Sequence, residues 1–142
     1  MQQTGVPAVD GIFQALGNHD AAAMSRFYQQ GARVWMVGIK NEKGVGGFET
    51  HAKLLAAMPD MALEIHSCAA ADDTVFVEWT RTGTHSGQFE NLAPTNNAVS
   101  LRGVSVFTVA GSKVTEERIY LDSQDLYGQL SVPRKRSSAV RA

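Results

Sequence analysis

The stretch that decides the fold is Ala98-Val99-Ser100-Leu101-Arg102-Gly103-Val104-Ser105-Val106-Phe107-Thr108-Val109, followed across Gly111-Ser112 by Val114-Thr115-Glu116-Glu117-Arg118-Ile119-Tyr120-Leu121-Asp122. Both runs are rich in the branched and aromatic side chains that fit a pleated surface. Gly111-Ser112 is a two-residue hairpin connection. Such a turn sets Phe107, Ser105 and Gly103 beside Glu116, Arg118 and Tyr120. Alternation puts Val114, Glu116, Arg118, Tyr120 and Asp122 on one strand face, and Thr115, Glu117, Ile119 and Leu121 on the other.

Upstream, the same period of two runs through Leu63, Ile65 and Ser67, alternating with Glu64, His66 and Cys68. After a turn at Asp72-Asp73, Val75, Val77, Trp79 and Arg81 alternate with Phe76, Glu78 and Thr80, with Gly83 and His85 in phase. Residues 83–97 carry Gly, Asn and Pro and read as a long excursion. Residues 33–39 read as a strand with Trp35 and Val37 on one face, followed by a glycine-bearing loop over 40–47. Earlier still the period is helical. Val9, Ile12, Phe13 and Leu16 make one short amphipathic helix, and residues 21–30 a second, capped by Asn18 or Asp20 and closed at Gly31. A third spans 48–58, with Phe48, Ala52, Leu54, Leu55 and Met58 inward, and ends at Pro59. Residues 125–130 read as a short helix or turn. Helices first and antiparallel strands after define an α+β class, with helices packed on one face of a curved sheet. Residues 1–131 form a single domain, and the basic stretch 132–142 reads as a tail.

The chain has 142 residues, 44% of them hydrophobic, and a net charge of -1. That composition supports a core, and near-neutrality gives no general attraction to nucleic acid or to an acidic membrane surface. One cysteine, Cys68, makes neither an internal disulfide nor a Cys-based metal site, and fits a reducing, cytoplasmic setting. No stretch approaches the roughly 20 apolar residues of a membrane span. No His-x-x-x-His or Cys pair offers metal ligands. Gly44, Gly46 and Gly47 lack the Lys-Ser/Thr of a phosphate loop, and no serine sits in a nucleophile elbow. Neither metal nor organic cofactor is expected.

The segments Met58-Pro59-Asp60, Val75-Phe76-Val77-Glu78-Trp79-Thr80, Gly83-Thr84-His85-Ser86-Gly87, Leu101-Arg102-Gly103-Val104-Ser105-Val106-Phe107 and Lys113 to Asp122 resemble the SnoaL-like polyketide cyclases, of the ketosteroid-isomerase-like, nuclear-transport-factor-like superfamily. The likeness covers about residues 8–131 and implies a cone-shaped, cystatin-like α+β barrel. Two departures stand out. Ala93-Pro94-Thr95-Asn96-Asn97 replaces the family's Pro-Pro-Thr-Gly-like turn, where Asn tolerates left-handed backbone. Arg118 stands where an aromatic is usual.

The resemblance places the family's acid/base aspartate at Asp122, whose pKa an apolar pocket would raise toward neutrality. The competing reading makes Asp122 a cap for the segment that follows. The motif also points to His85 as a holder of developing charge on a substrate oxygen. On the face assigned to the pocket, Arg118 and Glu116 form a charged pair or bind a substrate anion. Tyr120, Trp35, Trp79 and Phe107, with Ser105, form the walls or simply core.

The implied activity is aldol-type cyclisation, through an enolate, of a carbonyl-bearing polyketide or polycyclic small molecule. Isomerisation, epoxide opening, hydroxylation and plain ligand binding are the alternatives on the same scaffold. The other sheet face (Phe76, Thr80, Val104, Val106, Ile119 and Leu121) has the apolar character of a homodimer contact.

Overall fold

A computed structural model describes residues 3–37, 45–46 and 49–131. The expected residues 38–44 and 47–48, Phe48 among them, and the tail 132–142 lie outside the described residues. The elements, in chain order, are α1 (Pro7–Gly17), α2 (Ala21–Met24), a single 3₁₀ turn (Ser25–Phe27), β1 (Tyr28–Met36), β2 (Val45–Gly46), α3 (Glu49–Ala57), β3 (Ala62–Ala71), β4 (Thr74–Thr84), β5 (Ala98–Ala110), β6 (Lys113–Leu121) and α4 (Ser123–Ser131). The strands form one curved, unclosed sheet in the order β2-β1-β6-β5-β4-β3, with β1 parallel to β6. Helices cover its inner face, giving the α+β cone.

Local chemistry explains most boundaries. Pro7 opens α1, where its missing N–H costs nothing. Asp20 caps α2 by accepting the Ala23 N–H at 3.0 Å. The second helix is much shorter than the 21–30 expected. Tyr28, Gln29 and Gln30 already belong to β1, and Gly31 (φ 80°) sits in a bulge of that strand rather than closing a helix. The 3.6-residue pattern of Met24 and Tyr28 fits either state, and pairing with β6 decides for the strand.

The core lies between α1, α3, α4 and the inner sheet face. Phe13, Leu16, Met24, Leu54, Met58, Val77, Trp79, Phe107, Ile119 and Leu126 are all closed to solvent. Phe13 meets Phe107 edge-on, at 5.8 Å and 76° between ring planes. Where β5 crosses Trp79 the packing is so close that only glycine fits. A Cβ on Gly103 would lie 2.6 Å from the Tyr120 carbonyl oxygen and 2.8 Å from the indole.

One irregularity reorganises the hairpin from which the fold was read. The turn is as expected, with Gly111 at φ 60° and Ala110 paired to Lys113. Val109 then pairs with Val114, but Thr108 pairs with Glu116, leaving Thr115 as the extra residue of a β-bulge. From there on Phe107 pairs with Glu117, Ser105 with Ile119 and Gly103 with Leu121. A one-residue slip exchanges the faces of a strand. Val114 before the bulge is buried, and after it Glu117 and Ile119 are buried. Ile119 and Leu121 therefore pack into the core instead of contributing to the outer sheet face.

Gly103→Ala is expected to cost about 2–3 kcal/mol in urea unfolding, because a backbone oxygen cannot move aside. Gly128→Ala, in open space on α4, is expected to be neutral or to stabilise by up to about 1 kcal/mol.

Candidate active site

The bulge delivers a carboxylate to the interior. Glu117 on β6 is wholly buried, and three other elements supply its neighbours. From β1, the Tyr28 hydroxyl donates to Glu117 Oε1 at 2.6 Å. From α3, His51 Nε2 lies 2.9 Å from the same oxygen. From β4, Arg81 Nη2 lies 3.2 Å from His51 Nδ1. A guanidinium has donors only, so Nδ1 must be the acceptor. His51 is then the neutral tautomer with its proton on Nε2, donated to Glu117. The chain of bonds runs from guanidinium through imidazole to carboxylate.

Arg81 lies over the Trp79 ring at 4.4 Å, and the Trp79 indole N–H donates to Ser105 Oγ at 3.0 Å. That stacking fixes the plane of the guanidinium from below. Trp79 and Ser105 thus shape the site through Arg81, and Phe107 packs beside them in the core.

The charges are held as follows. Burial pushes the Glu117 carboxyl up, but the hydrogen bonds from His51 and Tyr28 and the Arg81 charge act the other way, and its pKa is lowered. Burial dominates at Arg81, whose direct partner is a neutral imidazole, and brings its pKa down to about 10. Both groups are therefore ionised at neutral pH. Burial, and then the nearby Glu117 charge, raise the Tyr28 phenol well above its ordinary value of 10.0.

Several buried polar atoms have no partner among the described residues: Glu117 Oε2 and Arg81 Nε and Nη1. Leaving a buried donor or acceptor unpaired costs about 1–3 kcal/mol, and more when it is charged. The cluster thus keeps one unused acceptor, on the carboxylate, and two unused donors, on the guanidinium.

The residues expected on the pocket face of β6 lie elsewhere, for the reason of register. Arg118 pairs with Glu116 at 2.6 Å on the outer face, both partly exposed. Tyr120 is 43% exposed on that face. Trp35 is beside Arg118 in register and carries the Arg33 guanidinium over its ring at 4.9 Å, outside the core. Asp122 is exposed and accepts the Asp125 N–H at 3.1 Å as the cap of α4. Its carboxylate does not reach the interior cluster.

His85 is buried, as its phase with Arg81 requires, but it lies four residues further along the chain. At about 3.3 Å per residue that separates the two by roughly 13 Å, with Met58 packed against the intervening Gly83. His85 Nδ1 is 3.0 Å from Thr95 Oγ1, and its backbone bonds to Asn96 and Asn97. Asn96 takes the left-handed conformation (φ 59°) anticipated for that turn. His85 Nε2 is buried without a partner among the described residues, apart from the Glu117 cluster.

Sequence reasoning missed Glu117, His51 and Tyr28 as site residues. Arg81 shares a buried strand face with Val75, Val77 and Trp79, as alternation predicts, but alternation gives it no role. A guanidinium among Val75, Val77 and Trp79 is itself a usable signal, as is His51 in one helical row with Leu54, Leu55 and Met58. Glu117 carried no such signal, because the bulge decides its face.

The class is that of small α+β cones, here with a charged cluster buried between sheet and helices. The sequence profile of the SnoaL-like polyketide cyclases matches residues 9–130, and the chain belongs to that family. No curated protein matches it in sequence. Among solved structures, it is similar to a proposed SnoaL-like polyketide cyclase from Jannaschia Sp. CCS1, at 19% identity and a TM-score of 0.76, over 94% of this chain and 99% of that one. It is also similar to AclR, a proposed hydroxylase from Streptomyces galilaeus, at 22% identity and a TM-score of 0.70, over 87% and 92%. An LEH-like epoxide hydrolase from M.tuberculosis shares the fold at 23% identity and a TM-score of 0.64, over 88% and 87%. At these identities the likeness is one of fold. Among the described residues no helix is long and apolar enough to cross a membrane.

The Tyr28 shift fixes a sign. A raised folded pKa stabilises fully below the unfolded value and is lost as pH rises through the folded one. Of the three tyrosines, Tyr28 is expected to ionise only with alkaline unfolding. The late phase of absorbance at 295 nm should vanish in Tyr28→Phe, which should also cost about 1.5–3 kcal/mol as a bond to a charged group is lost.

Proposed function

We propose that the chain is an acid/base catalyst acting on a carbonyl-bearing polyketide or polycyclic small molecule, with Glu117 moving the proton. The observation that carries this reading is the division of labour at Glu117. Oε1 is held by Tyr28 and His51, while Oε2 is buried and unpartnered. An oriented, desolvated carboxylate oxygen is suited to taking a proton from carbon.

Its lowered pKa keeps Glu117 ionised but makes it a weak base. The reaction therefore depends on stabilising the enolate. Arg81 offers unpartnered Nε and Nη1 donors for the enolate oxygen, in a site buried from solvent. The enolate carbon then attacks a second carbonyl of the same molecule, closing a ring. Glu117 returns its proton to the new alkoxide, so the carboxylate is regenerated. His51 and Tyr28 hold the base in place, and every step uses protein groups alone. Asp122 and His85, expected to carry these roles, have no part in the reaction in this form.

The same pair favours a second reading, epoxide opening. Arg81 would polarise the epoxide oxygen while Glu117 takes a proton from attacking water. The fold shared with an epoxide hydrolase-like protein adds weight to this reading.

The proposal extends to setting and assembly. A single cysteine, Cys68, suits the cytoplasm. The outer sheet face exposes Phe76 and Tyr120, each at 43%, around Val104 and Val106, and is proposed to pair two copies. Light scattering at micromolar concentration should give a dimer, and Phe76→Glu a monomer with the same circular dichroism.

Deuterium exchange at the carbon next to the carbonyl, followed by NMR for a panel of aryl ketones and 1,3-diketones, tests the main reading. The native chain is expected to accelerate exchange, and Glu117→Gln to lose at least about a hundredfold of it. Exchange unaffected by Glu117→Gln refutes the role of Glu117. Hydrolysis of aryl epoxides without any ketone exchange selects the second reading.

A further inference from the structure

The free atoms of the cluster form an ordered pair, an acceptor at Glu117 Oε2 and donors at Arg81 Nε and Nη1. A ligand that satisfies both must present a donor to Glu117 and an acceptor to Arg81. The charges restrict it further. Arg81 contributes one positive charge and Glu117 one negative, and their neighbours are neutral: Tyr28 on β1, His51 on α3, Trp79 on β4 and Ser105 on β5. The cluster is balanced as it stands. An organic anion placed against Arg81 would bring a second carboxylate-like charge next to Glu117 in a site closed to solvent, which is strongly unfavourable. A single proton removes the imbalance. It would sit between Glu117 Oε2 and the ligand oxygen, as in two carboxylates sharing one site.

We propose that the Glu117–Arg81 pair recognises its ligand as an O–H acid, a carboxylic or vinylogous acid whose anion is taken up together with one proton from solvent. The acid O–H donates to Glu117 Oε2, and its carbonyl oxygen accepts from Arg81. His51 does not take the proton, because Nδ1 already accepts from Arg81 and a second cation would stand against the guanidinium. Tyr28 does not supply it, because its phenol is committed to Oε1. The inference rests on the reading of Glu117 and Arg81 as the site and names the chemical group they select. It assigns Glu117 a sensing role in addition to its role as base. Since the cluster is closed to solvent, binding includes an opening of the packing around it.

Three probes of one shape separate the possibilities in calorimetry on the full chain: benzoate, benzamide and methyl benzoate. Benzamide offers a donor and an acceptor without a charge, and the ester offers only an acceptor. Benzoate affinity is expected to fall about tenfold per pH unit between pH 6 and 8, with one proton taken up per ligand. Buffers of different ionisation enthalpy count that proton directly. Benzamide affinity should be flat with pH, and the ester should bind at least about tenfold more weakly than benzamide. In Glu117→Gln the pair becomes a neutral amide beside a cation, so benzoate should bind as the anion, with no proton uptake and no pH dependence.

Benzoate binding that is independent of pH in the native chain overturns the proposal. So does a slope that persists in Glu117→Gln, or an ester that binds as well as the acid. Absence of benzoate binding at pH 6 and about 10 mM overturns it as well. Should Glu117→Gln fail to fold, the native slope and the proton count decide alone. The carbon-acid reading is separate, because it stands on deuterium exchange with ketones. Exchange without proton-coupled benzoate binding refutes only the selection of acids, and the reverse result refutes only the base.

Discussion

One extra residue, Thr115, governs the chemistry of this chain. Without its bulge, β6 would turn Glu116, Arg118 and Tyr120 into the core and leave Glu117 and Ile119 outside. A strand has two faces and a period of two, so a single inserted residue exchanges its whole set of side chains. The core accepts the exchange because Val114 is buried ahead of the bulge and Ile119 behind it. Apolar burial is thus continuous along β6, and Glu117 enters the interior between two anchors. The outer face in turn receives Glu116 and Arg118, which pair with each other at the surface.

Burying one carboxylate imposes a chain of requirements. Glu117 needs donors, and they come from Tyr28 and His51. His51 faces Glu117 with Nε2 and Arg81 with Nδ1, and since a guanidinium can only donate, Nδ1 accepts and Nε2 carries the proton given to Glu117. Arg81 needs a fixed plane, and Trp79 supplies it, itself held by Ser105. Gly103 is required because Trp79 lies so close to β5. Distant positions on β1, α3, β4, β5 and β6 are therefore coupled through one ionised group. The network remains incomplete at Oε2, Nε and Nη1, and those are the atoms that the proposed site offers to a ligand.

Asp122 makes the bond that the cap reading requires. A carboxylate that accepts the Asp125 amide caps α4 and is oriented toward the start of a helix in solvent. His85 shows a different situation. Its phase with Arg81 was legible and its burial follows, but strand rise carries it away from the cluster. Being on the same face is necessary for two side chains to share a site, and it is not sufficient.

The sequence by itself determined the α+β class, the hairpin turn at Gly111-Ser112, the inward row Val75, Val77, Trp79 and Arg81, and α1. These follow from local periodicity and turn chemistry, which a chain carries in its own order of residues. It also determined the left-handed Asn96, through the tolerance of that side chain for the conformation. Only the tertiary structure decided that Tyr28 begins a strand, since pairing with β6 outweighs a helical spacing that fits both states. It alone decided that Glu117 faces inward, because a bulge is set by which residues of two strands pair and leaves no trace in the alternation of one. The candidate site follows from that pairing, as β1, α3 and β4, far apart in the chain, converge on one carboxylate of β6.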